Sequence, residues 1–548
     1  MIIINLNTGR QKWDGWGVSL MWWANAIEGF EKIEPSEWGR ERGYKSRYEE
    51  LMHRLFEAEH GLGLNIVRYN VGGGDDPQKD FINRTGARIP GYISGEGKYC
   101  WNADRQQIKV LKDAYQLIME VGNKFWNTIF SVSPPYIWTY SGSSTGNANA
   151  WNDNLRWDKY KEFVSYLLDV VEYIQNVQKI PVTEIEPINE PTSGYWKYGS
   201  QKQEGCQFNS TPQPEIHKNN YVADKDPFNP WIYSAMSKIY EILGEELDRR
   251  KGAGKLQKVQ ITGVDETSID ATLESMERLT DKARNYIDKI STHEYEGAKR
   301  RELAEFAEKY HKPIWMSEVC YSGEKRNKDV MDKSVFQMCR DIRNDIYEMG
   351  ISGWVEWQGI ESLGENILWN SNWGIIHCLF EETKWKTEKE TDRFGMSPIQ
   401  YCVDENHKLD PERVAQMGYK RGDYEVTKQY YALGQYTRYL KPGYQIIETG
   451  DENMVAALSE KKDRLVLIVI NEKLEETECS VWINGIPDMR IISAVRTDNR
   501  DSWKDVRKDI RINHNHMLDK MPEKSISTYV IALNIEVNQN RASCSRLE

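Results

Sequence analysis

Eight short β-type segments alternate with helical or irregular stretches between about residues 13 and 430, and this alternation restricts the fold more than any other feature. The segments are WGVSL, NIVRYNV, NTIFSVS, TEIEPIN, VQITGVD, ISTHEY, PIWMSE and GWVEWQ. Between them, apolar residues recur at helical spacing, as at Leu51 and Leu55 and again at Phe163 and Leu167. The sequence therefore predicts an α/β fold, a closed (β/α)8 barrel of the TIM type.

The pattern changes after about residue 430, where short β segments are separated by turns and charged residues. This arrangement is typical of an antiparallel β-sandwich, and a chain of 548 residues is long enough to form more than one domain. The first residues, IIINLN, have the same character and are expected to add a strand to the sandwich. We predict an N-terminal strand at 1–12, a catalytic barrel at 13–430, a β-sandwich at 431–540 and a tail at 541–548.

The acidic balance of the chain excludes two classes of partner. A net charge of −12 argues against nucleic acid, whose phosphates require a basic surface, and against a polybasic role at a membrane. No apolar run approaches the ~18 residues of a membrane-spanning helix. The N-terminus lacks the basic and apolar regions of a signal peptide, so we expect a cytoplasmic protein as the sequence is written, or a secreted one if a leader has been removed.

Motifs for other kinds of chemistry are missing from the sequence. It contains no CxxC pair, no HExxH and no Walker loop, and its GxSxG match, GSSTG at 142–146, lies within a predicted loop and not in the strand-to-helix turn of a nucleophile elbow. We therefore predict neither a cofactor nor a metal, and favour a monomer while leaving the oligomeric state open.

Two glutamates occupy the ends of predicted strands. Glu190 lies in PINEP after the fourth strand, and Glu318 lies in PIWMSEVC at the end of the seventh. In a barrel, the carboxyl ends of the strands form the active face, so the two carboxylates are expected to face each other across its mouth. Glycoside cleavage needs such a pair, held ~5–5.5 Å apart when the mechanism is retaining. Ionised Glu318 is expected to raise the proton affinity of Glu190.

Other candidates at strand ends have both a functional and a structural interpretation. Arg68 on the second strand could pair with Glu318 or form a buried structural ion pair, and the Tyr295 hydroxyl could contact the nucleophile or simply fill the core. Trp357 could form the floor beneath a sugar ring or pack inside the barrel. Asn189 could bind a sugar hydroxyl, and His293 marks the sixth strand. Their common position at strand C-termini favours the functional interpretation.

Long loops rich in Gly, Asn, Ser and Trp follow several predicted strands, at about residues 72–102, 139–154, 192–230 and 358–427. The run GGGDD at 72–76 lacks the lysine of a phosphate-binding loop and is expected to let the chain turn tightly beside the substrate. Asp75 in this run is therefore a candidate substrate-binding residue.

With these residues in view, the chain resembles glycoside hydrolase family 30, whose members are retaining enzymes with a barrel fused to a small β-sandwich. The stretches that carry the resemblance are DGWGVSL, GLGLNIVRYNVGGGDDP, FSVSPPYIWTYSGSSTG, EIEPINEPTSGYWKYGSQKQEGC, ITGVDETS, STHEYEG, IWMSEV, GWVEWQ, YYALGQYTRYLKPGYQII and PEKSISTYVI.

The resemblance implies roles for individual residues. Glu190 matches the acid/base of the family and Glu318 its nucleophile. Residues matching those that line the subsite of the cleaved sugar are Asn189, Arg68, Tyr295 and Trp357. In one departure, Ile137 in SPPYIW stands where the pattern SPPYWM has tryptophan. Tyr136 and Trp138 beside it are candidate substrate contacts, and Trp138 is a possible replacement for the missing ring.

The segment WKYGSQKQEGC after Glu190 is similar to the endo-β-1,6-galactanase branch of the family, which cleaves the galactan side chains of arabinogalactan-type glycans. The resemblance thus implies an oligo- or polysaccharide substrate. Action on β-1,6-glucan, on xylan or on a small β-glycoside by an exo-acting enzyme stays open, because specificity resides in loops. The alternative from a different functional class is a protein that has the same fold and binds carbohydrate but does not cleave it.

Overall fold

The computed structural model describes residues 2–79, 81–82, 84–323, 329–363, 373–380 and 420–533. The chain divides into two compact units. One unit combines Met1–Trp13 with Tyr439–Glu548, and the other consists of Asp14–Arg438. The predicted tail at 541–548 lies outside the described residues.

The N-terminal segment forms two short strands of the first unit, β1 (Ile2–Asn5) and β2 (Gly9–Lys12). The chain then enters the second unit, where eight parallel strands close into a barrel. These strands are β3 (Gly15–Ser19), β4 (Ile66–Asn70), β5 (Trp126–Phe130), β6 (Glu184–Glu186), β7 (Gln260–Ser268), β8 (Lys289–Glu296), β9 (Ile314–Val319) and β10 (Gly353–Glu356). Each overlaps one of the eight predicted segments, and β10 pairs with both β3 and β9, so the predicted barrel is confirmed.

Helices follow the barrel strands and present apolar faces to them. In chain order they are α1 (Trp23–Ala26), α2 (Glu37–Glu41), α3 (Arg47–Phe56), α4 (Arg105–Glu120), α5 (Tyr160–Asn176), α6 (Pro214–His217), α7 (Ala235–Gly252), α8 (Ile269–Arg278), α9 (Asp281–Tyr286), α10 (Arg300–Lys309), α11 (Lys333–Asn344) and α12 (Lys428–Thr437). A π-helical turn, Asp345–Met349, continues α11. In the described ranges, no helix combines the length and apolar character that a membrane span requires.

Local sequence explains where several of these helices begin and end. Ser46, Ser234 and Ser268 each accept a hydrogen bond from the amide three residues later, which caps the first turns of α3, α7 and α8. The helix indicated by the spacing of Leu51 and Leu55 ends at Phe56. The reason is that the Glu57 carboxylate accepts the next free amides and turns the chain out of the helix.

After the barrel, a small sheet is formed by β11 (Ile360–Ser362), β12 (Ile376–Cys378) and β13 (Tyr424–Val426). The first unit then continues as β14 (Gln445–Ile447), β15 (Met454–Leu458), β16 (Arg464–Asn471), β17 (Thr477–Asn484), β18 (Met489–Thr497), β19 (Lys504–Asp505), β20 (Arg511–Asn513), β21 (His516–Met521) and β22 (Ser525–Leu533).

These strands form two sheets around one apolar core. The sheet orders are β1-β17-β21-β20 and β19-β18-β22-β16-β15-β14-β2. Side chains from both sheets, such as Val481 and Met517 from one and Leu467 and Tyr529 from the other, belong to the same buried cluster. The predicted sandwich is confirmed, and the N-terminal segment supplies a strand to each sheet rather than one strand in all: β1 pairs parallel with β17, and β2 antiparallel with β14.

Candidate active site

Glu190 lies in the turn that leaves β6, and its backbone is held in an unusual conformation. Its φ of 44° falls in the left-handed region, which costs a residue with a Cβ about 1–3 kcal/mol. The amide donates to the Asp265 carbonyl at 2.7 Å, and the carbonyl accepts from the Trp196 indole at 2.9 Å. Hydrogen bonds on both sides therefore fix the direction in which the Glu190 carboxylate leaves the chain.

Glu318, on β9, meets Glu190 across the mouth of the barrel. One carboxylate oxygen of each glutamate and one ring nitrogen of His293 lie within 4.8 Å of one another. Glycosidases that form a covalent intermediate hold their two carboxyls ~5–5.5 Å apart, whereas inverting enzymes need ~6.5–9.5 Å to admit a water. The observed proximity is closer to the first separation than to the second.

The carboxylate of Glu318 is held by donors from neighbouring strands. The Arg68 guanidinium on β4 donates to one oxygen at 2.5 Å, and the Tyr295 hydroxyl on β8 donates to the other at 3.0 Å. Burial raises the pKa of Glu318 above its usual range, while the positive charges of His293 and Arg68 counteract that rise. These cations thus favour the ionised carboxylate although it is buried.

Arg68 is the hub of this arrangement and is only 1% exposed. Its remaining donors reach Glu186 at 3.2 Å, the Asn189 amide oxygen at 2.9 Å and the Asp265 carboxylate. Burial would lower the pKa of Arg68, but the surrounding carboxylates outweigh it and raise the pKa further. The same contact orients Asn189, because its oxygen is occupied by Arg68 and its NH2 group is left to donate elsewhere.

His293 on β8 bridges two carboxylates. Its Nδ1 lies 3.1 Å from Glu190, and its Nε2 lies 2.9 Å from Asp265. Burial would lower the pKa of His293, but the charges of Glu318 and Asp265 hold it well above its usual value. Both nitrogens therefore carry protons, and the imidazolium fixes the orientation of the Glu190 carboxyl.

Two further acids beneath the pair have opposite protonation. Burial and the charge of Asp265 raise the pKa of Glu186 to about 8, so Glu186 is protonated near neutral pH. Burial also acts on Asp265, yet Arg68 and His293 outweigh it and lower the pKa of Asp265 to about 2. The neutral acid spares the site one buried negative charge, while ionised Asp265 and Glu318 together balance the two cations, Arg68 and His293.

The second oxygen of Glu190 accepts a hydrogen bond from Tyr195, five residues later in the chain. Burial of this hydroxyl and the charge of Glu190 raise the pKa of Tyr195, so its proton stays on the phenol. The residue as a whole is 52% exposed. Tyr195 thus combines a directed hydroxyl with a ring face that is open to solvent.

A cleft of about 510 Å³ opens above the two glutamates, within the ~300–1,000 Å³ of small-molecule sites. Its lining residues are Trp22, Glu190, Tyr195, Trp196, Ser200, Lys202, Gln203, Thr267, Tyr295, Glu296, Glu318, Cys320, Ser322, Trp357 and Trp373. Trp22 and Trp357 pack edge to face with ring centroids 5.2 Å apart. Such rings offer the apolar faces on which the C–H side of a sugar stacks.

The structure brings most of the predicted residues together at this place. Glu190, Tyr295, Glu318 and Trp357 line the cleft, while Arg68, Asn189 and His293 are buried and joined to the two glutamates by the contacts given above.

Asp75, Tyr136 and Trp138 do not belong to the cleft lining. The Asp75 carboxylate accepts from the Ser143 hydroxyl and the Phe81 amide, and so joins loops to each other. Trp138 packs edge-on against Tyr166, at 5.8 Å, in a 3-10 turn, Tyr136–Trp138, that also contains Ile137. Here these side chains hold the loops together beside the cleft.

Sequence reasoning did not single out Glu186, Asp265, Tyr195, Trp22 or Trp373, which all take part in the site or its walls. Glu186 and Asp265 carried a usable signal, since each is an acid in a predicted barrel strand, TEIEPIN or VQITGVD, and acids are rarely buried unless they are paired. Tyr195 could not be found in this way, because its contact with Glu190 depends on the path of the loop.

By position alone, Glu190, His293 and Glu318 could hold a metal ion. Their protonation argues otherwise, because a histidine that carries protons on both nitrogens has no lone pair to donate. Arg68 already supplies a positive charge to Glu318 at 2.5 Å. The set therefore fits proton transfer and charge stabilisation better than metal binding.

Comparison with known proteins places these residues in context. The family model for O-Glycosyl hydrolase family 30 matches residues 57–256, which include Arg68, Asn189 and Glu190. An endo-beta-1,6-galactanase of Hypocrea rufa is 24% identical over 475 residues, covering 84% of this chain and 78% of that protein. An exo-beta-1,6-galactobiohydrolase of Bifidobacterium longum is 23% identical over 522 residues, covering 83% of this chain but only 33% of that longer protein.

Among solved structures, the catalytic domain of GH30 xylanase C from Talaromyces cellulolyticus has a similar fold, with a TM-score of 0.62 and 15% sequence identity. The similarity covers 97% of this chain and 99% of that one. At this level of identity it supports the fold and leaves the substrate open.

Proposed function

Because this chain belongs to O-glycosyl hydrolase family 30, we propose that it hydrolyses β-1,6-linked galactan, as found in the side chains of arabinogalactans, by a retaining double displacement. Glu190 is the acid/base and Glu318 the nucleophile. As a glycoside hydrolase the chain is an enzyme. This disfavours the alternative of a non-catalytic carbohydrate-binding protein. No cofactor is required by this reaction.

The observation that carries the mechanism is the pair of carboxylates within 4.8 Å, each in a different environment. In the first step a Glu318 oxygen attacks the anomeric carbon while Glu190 gives its proton to the glycosidic oxygen, and the bond between that carbon and oxygen breaks. In the second step Glu190 takes a proton from water, the water oxygen bonds to the anomeric carbon, and Glu318 leaves. Two inversions give net retention.

The donors around Glu318 suit this cycle. Arg68 and Tyr295 stabilise its negative charge, which is lost when the covalent intermediate forms and returns when the intermediate breaks down. His293 and Tyr195 each contact one oxygen of Glu190 and orient it for both proton transfers.

The proposed substrate rests on two observations. Both curated relatives described above are named for action on β-1,6-linked galactose. The segment that resembles the galactanase branch also contributes Ser200, Lys202 and Gln203 to the cleft lining. Polar groups that bond the axial hydroxyl of galactose would reject glucose, since they would be left unpaired in its absence.

Digestion of a de-arabinosylated arabinogalactan, in parallel with β-1,6-glucan and xylan, tests the proposal. We expect β-1,6-galacto-oligosaccharides from the first polymer alone, and no products from the Glu318→Gln variant. A ladder of sizes indicates endo action, whereas a single short product indicates exo action. Release of glucose or xylose oligomers instead would replace galactan as the substrate, and an initial α-anomer from a β-linked substrate would contradict retention.

A further inference from the structure

We propose that Trp151 and Tyr195 form a platform of two rings, the Trp151–Tyr195 platform, which binds the sugar units on the leaving-group side of the bond that is cleaved. The inference rests on the function proposed above and specifies how its site extends beyond the cleft. It predicts that at least two sugar units on that side contribute to recognition.

Both residues are exposed, and Trp151 packs on the residue that precedes Tyr195. Trp151 is 62% exposed and Tyr195 is 52% exposed. The indole of Trp151 lies directly on Gly194, where an added Cβ would come within 2.3 Å of the indole Cζ2. Since Gly194 directly precedes Tyr195, the Trp151 indole packs against the chain one residue before Tyr195. A glycine at this position is what permits so close an approach.

Trp151 is also held firmly, although its ring faces solvent. Its amide donates to the Asn149 side chain at 3.1 Å, and its carbonyl accepts from Asn209 at 3.1 Å and Gln213 at 2.9 Å. Most of the Trp151 side chain stays in water, where its apolar surface is available to a partner. A pyranose ring, with C–H groups on one face and hydroxyls at its edge, has the chemistry to cover it.

The side of the cleaved bond follows from the contact between Tyr195 and Glu190. Glu190 must reach the glycosidic oxygen, so the departing sugar lies beside it. The Tyr195 hydroxyl donates to the Glu190 oxygen that faces away from His293, and the exposed Tyr195 ring therefore flanks this leaving sugar. Trp151 does not line the cleft, but its indole packs on Gly194, the neighbour of Tyr195, and we therefore assign it to a second leaving-group unit.

Three variants test the platform against a series of reduced β-1,6-galacto-oligosaccharides of increasing length. Trp151→Ala removes the outer ring, and Tyr195→Phe keeps the inner ring but removes its hydroxyl. Trp482→Ala is the matched control, because Trp482 is an exposed tryptophan, 36% accessible, in the other unit of the chain.

On substrates with two or more leaving-group units, we expect Trp151→Ala to lower kcat/KM roughly tenfold, mainly by raising KM. A loss of this size is expected when one stacked ring is removed. The loss should shrink as the leaving group is shortened to one unit. Tyr195→Phe should keep the dependence on length but lower kcat on natural glycosides. Equal rates for Trp151→Ala and the unmutated protein at every length, or an equal loss at every length, would overturn the platform.

The two proposals fail differently. If glucan or xylan is cleaved instead of galactan, the substrate is wrong, and the length series made from the cleaved sugar still decides the platform. If no polymer is cleaved, binding of galacto-, gluco- and xylo-oligosaccharides to the Glu318→Gln protein is measured by calorimetry. Weaker binding after adding Trp151→Ala supports the platform; unchanged binding, or binding of none of the three, overturns it.

Discussion

Replacing Tyr295 by phenylalanine removes a single contact from the proposed nucleophile. The Tyr295 hydroxyl donates to Glu318 at 3.0 Å, and phenylalanine keeps the ring while leaving that oxygen of a buried carboxylate without this donor. A hydrogen bond to a charged group is worth about 1.5–3 kcal/mol, which corresponds to a loss of roughly 13- to 160-fold in kcat/KM. The substitution takes away stabilisation of the charged form, so the pKa of Glu318 should rise further.

The assay is the pH dependence of kcat/KM on a substrate with an activated leaving group, which reports the free enzyme. Since Glu318 must be ionised to attack, the acidic limb of the profile should move upward by about one pH unit or more. Tyr99→Phe is the control: it removes a comparable bond, from the Tyr99 hydroxyl to Asp169 at 2.6 Å, outside the cleft lining. An unmoved acidic limb with kcat/KM within about threefold of the unmutated protein would refute the reasoning.

Two other variants examine the remaining acids. Glu190→Ala should be slow on natural galactan but much less impaired on glycosides whose leaving group needs no protonation; equal losses on both, measured by initial rates, would count against the acid role. Glu186→Gln should flatten the pH dependence of stability. The pKa of Glu186 is about 8 in the folded protein, above the usual value of a carboxyl, so folding binds a proton between these values and stability should fall as pH rises from ~5 to ~8. Urea unfolding at several pH values should show that the free energy of unfolding falls with pH in the unmutated protein and falls less steeply in the variant. Equal slopes would mean that a group other than Glu186 binds the proton.

The barrel could be predicted because its strands have a local signature. Parallel strands covered on both faces read as short apolar runs, and all five residues of Ile66–Asn70 are buried, Arg68 and Asn70 included. The strand ends then limit where chemistry can occur, which is why Glu190 and Glu318 could be singled out from the sequence.

The partners of buried charges could not be predicted in the same way. Arg68 contacts Asp265 and Glu318, which are 197 and 250 residues away, and no local pattern shows which acids share one guanidinium. Asp75 and Trp138 stay candidate substrate contacts, and the sequence did not show that their side chains also contact Ser143 and Tyr166. Side chains on loops take their direction from contacts that close only when the whole fold has formed.

The pairing of β1 and β2 with strands from the far end of the sequence has a consequence for synthesis. Ile2–Lys12 finds its partners only when residues 445–484 have been made, after the entire barrel sequence. At ~5–20 residues per second, the N-terminal strands wait unpaired for roughly 20–90 s on the ribosome. Each then completes an edge of one sheet, so removal of the first dozen residues would leave two open strand edges on every newly made molecule and favour aggregation over assembly.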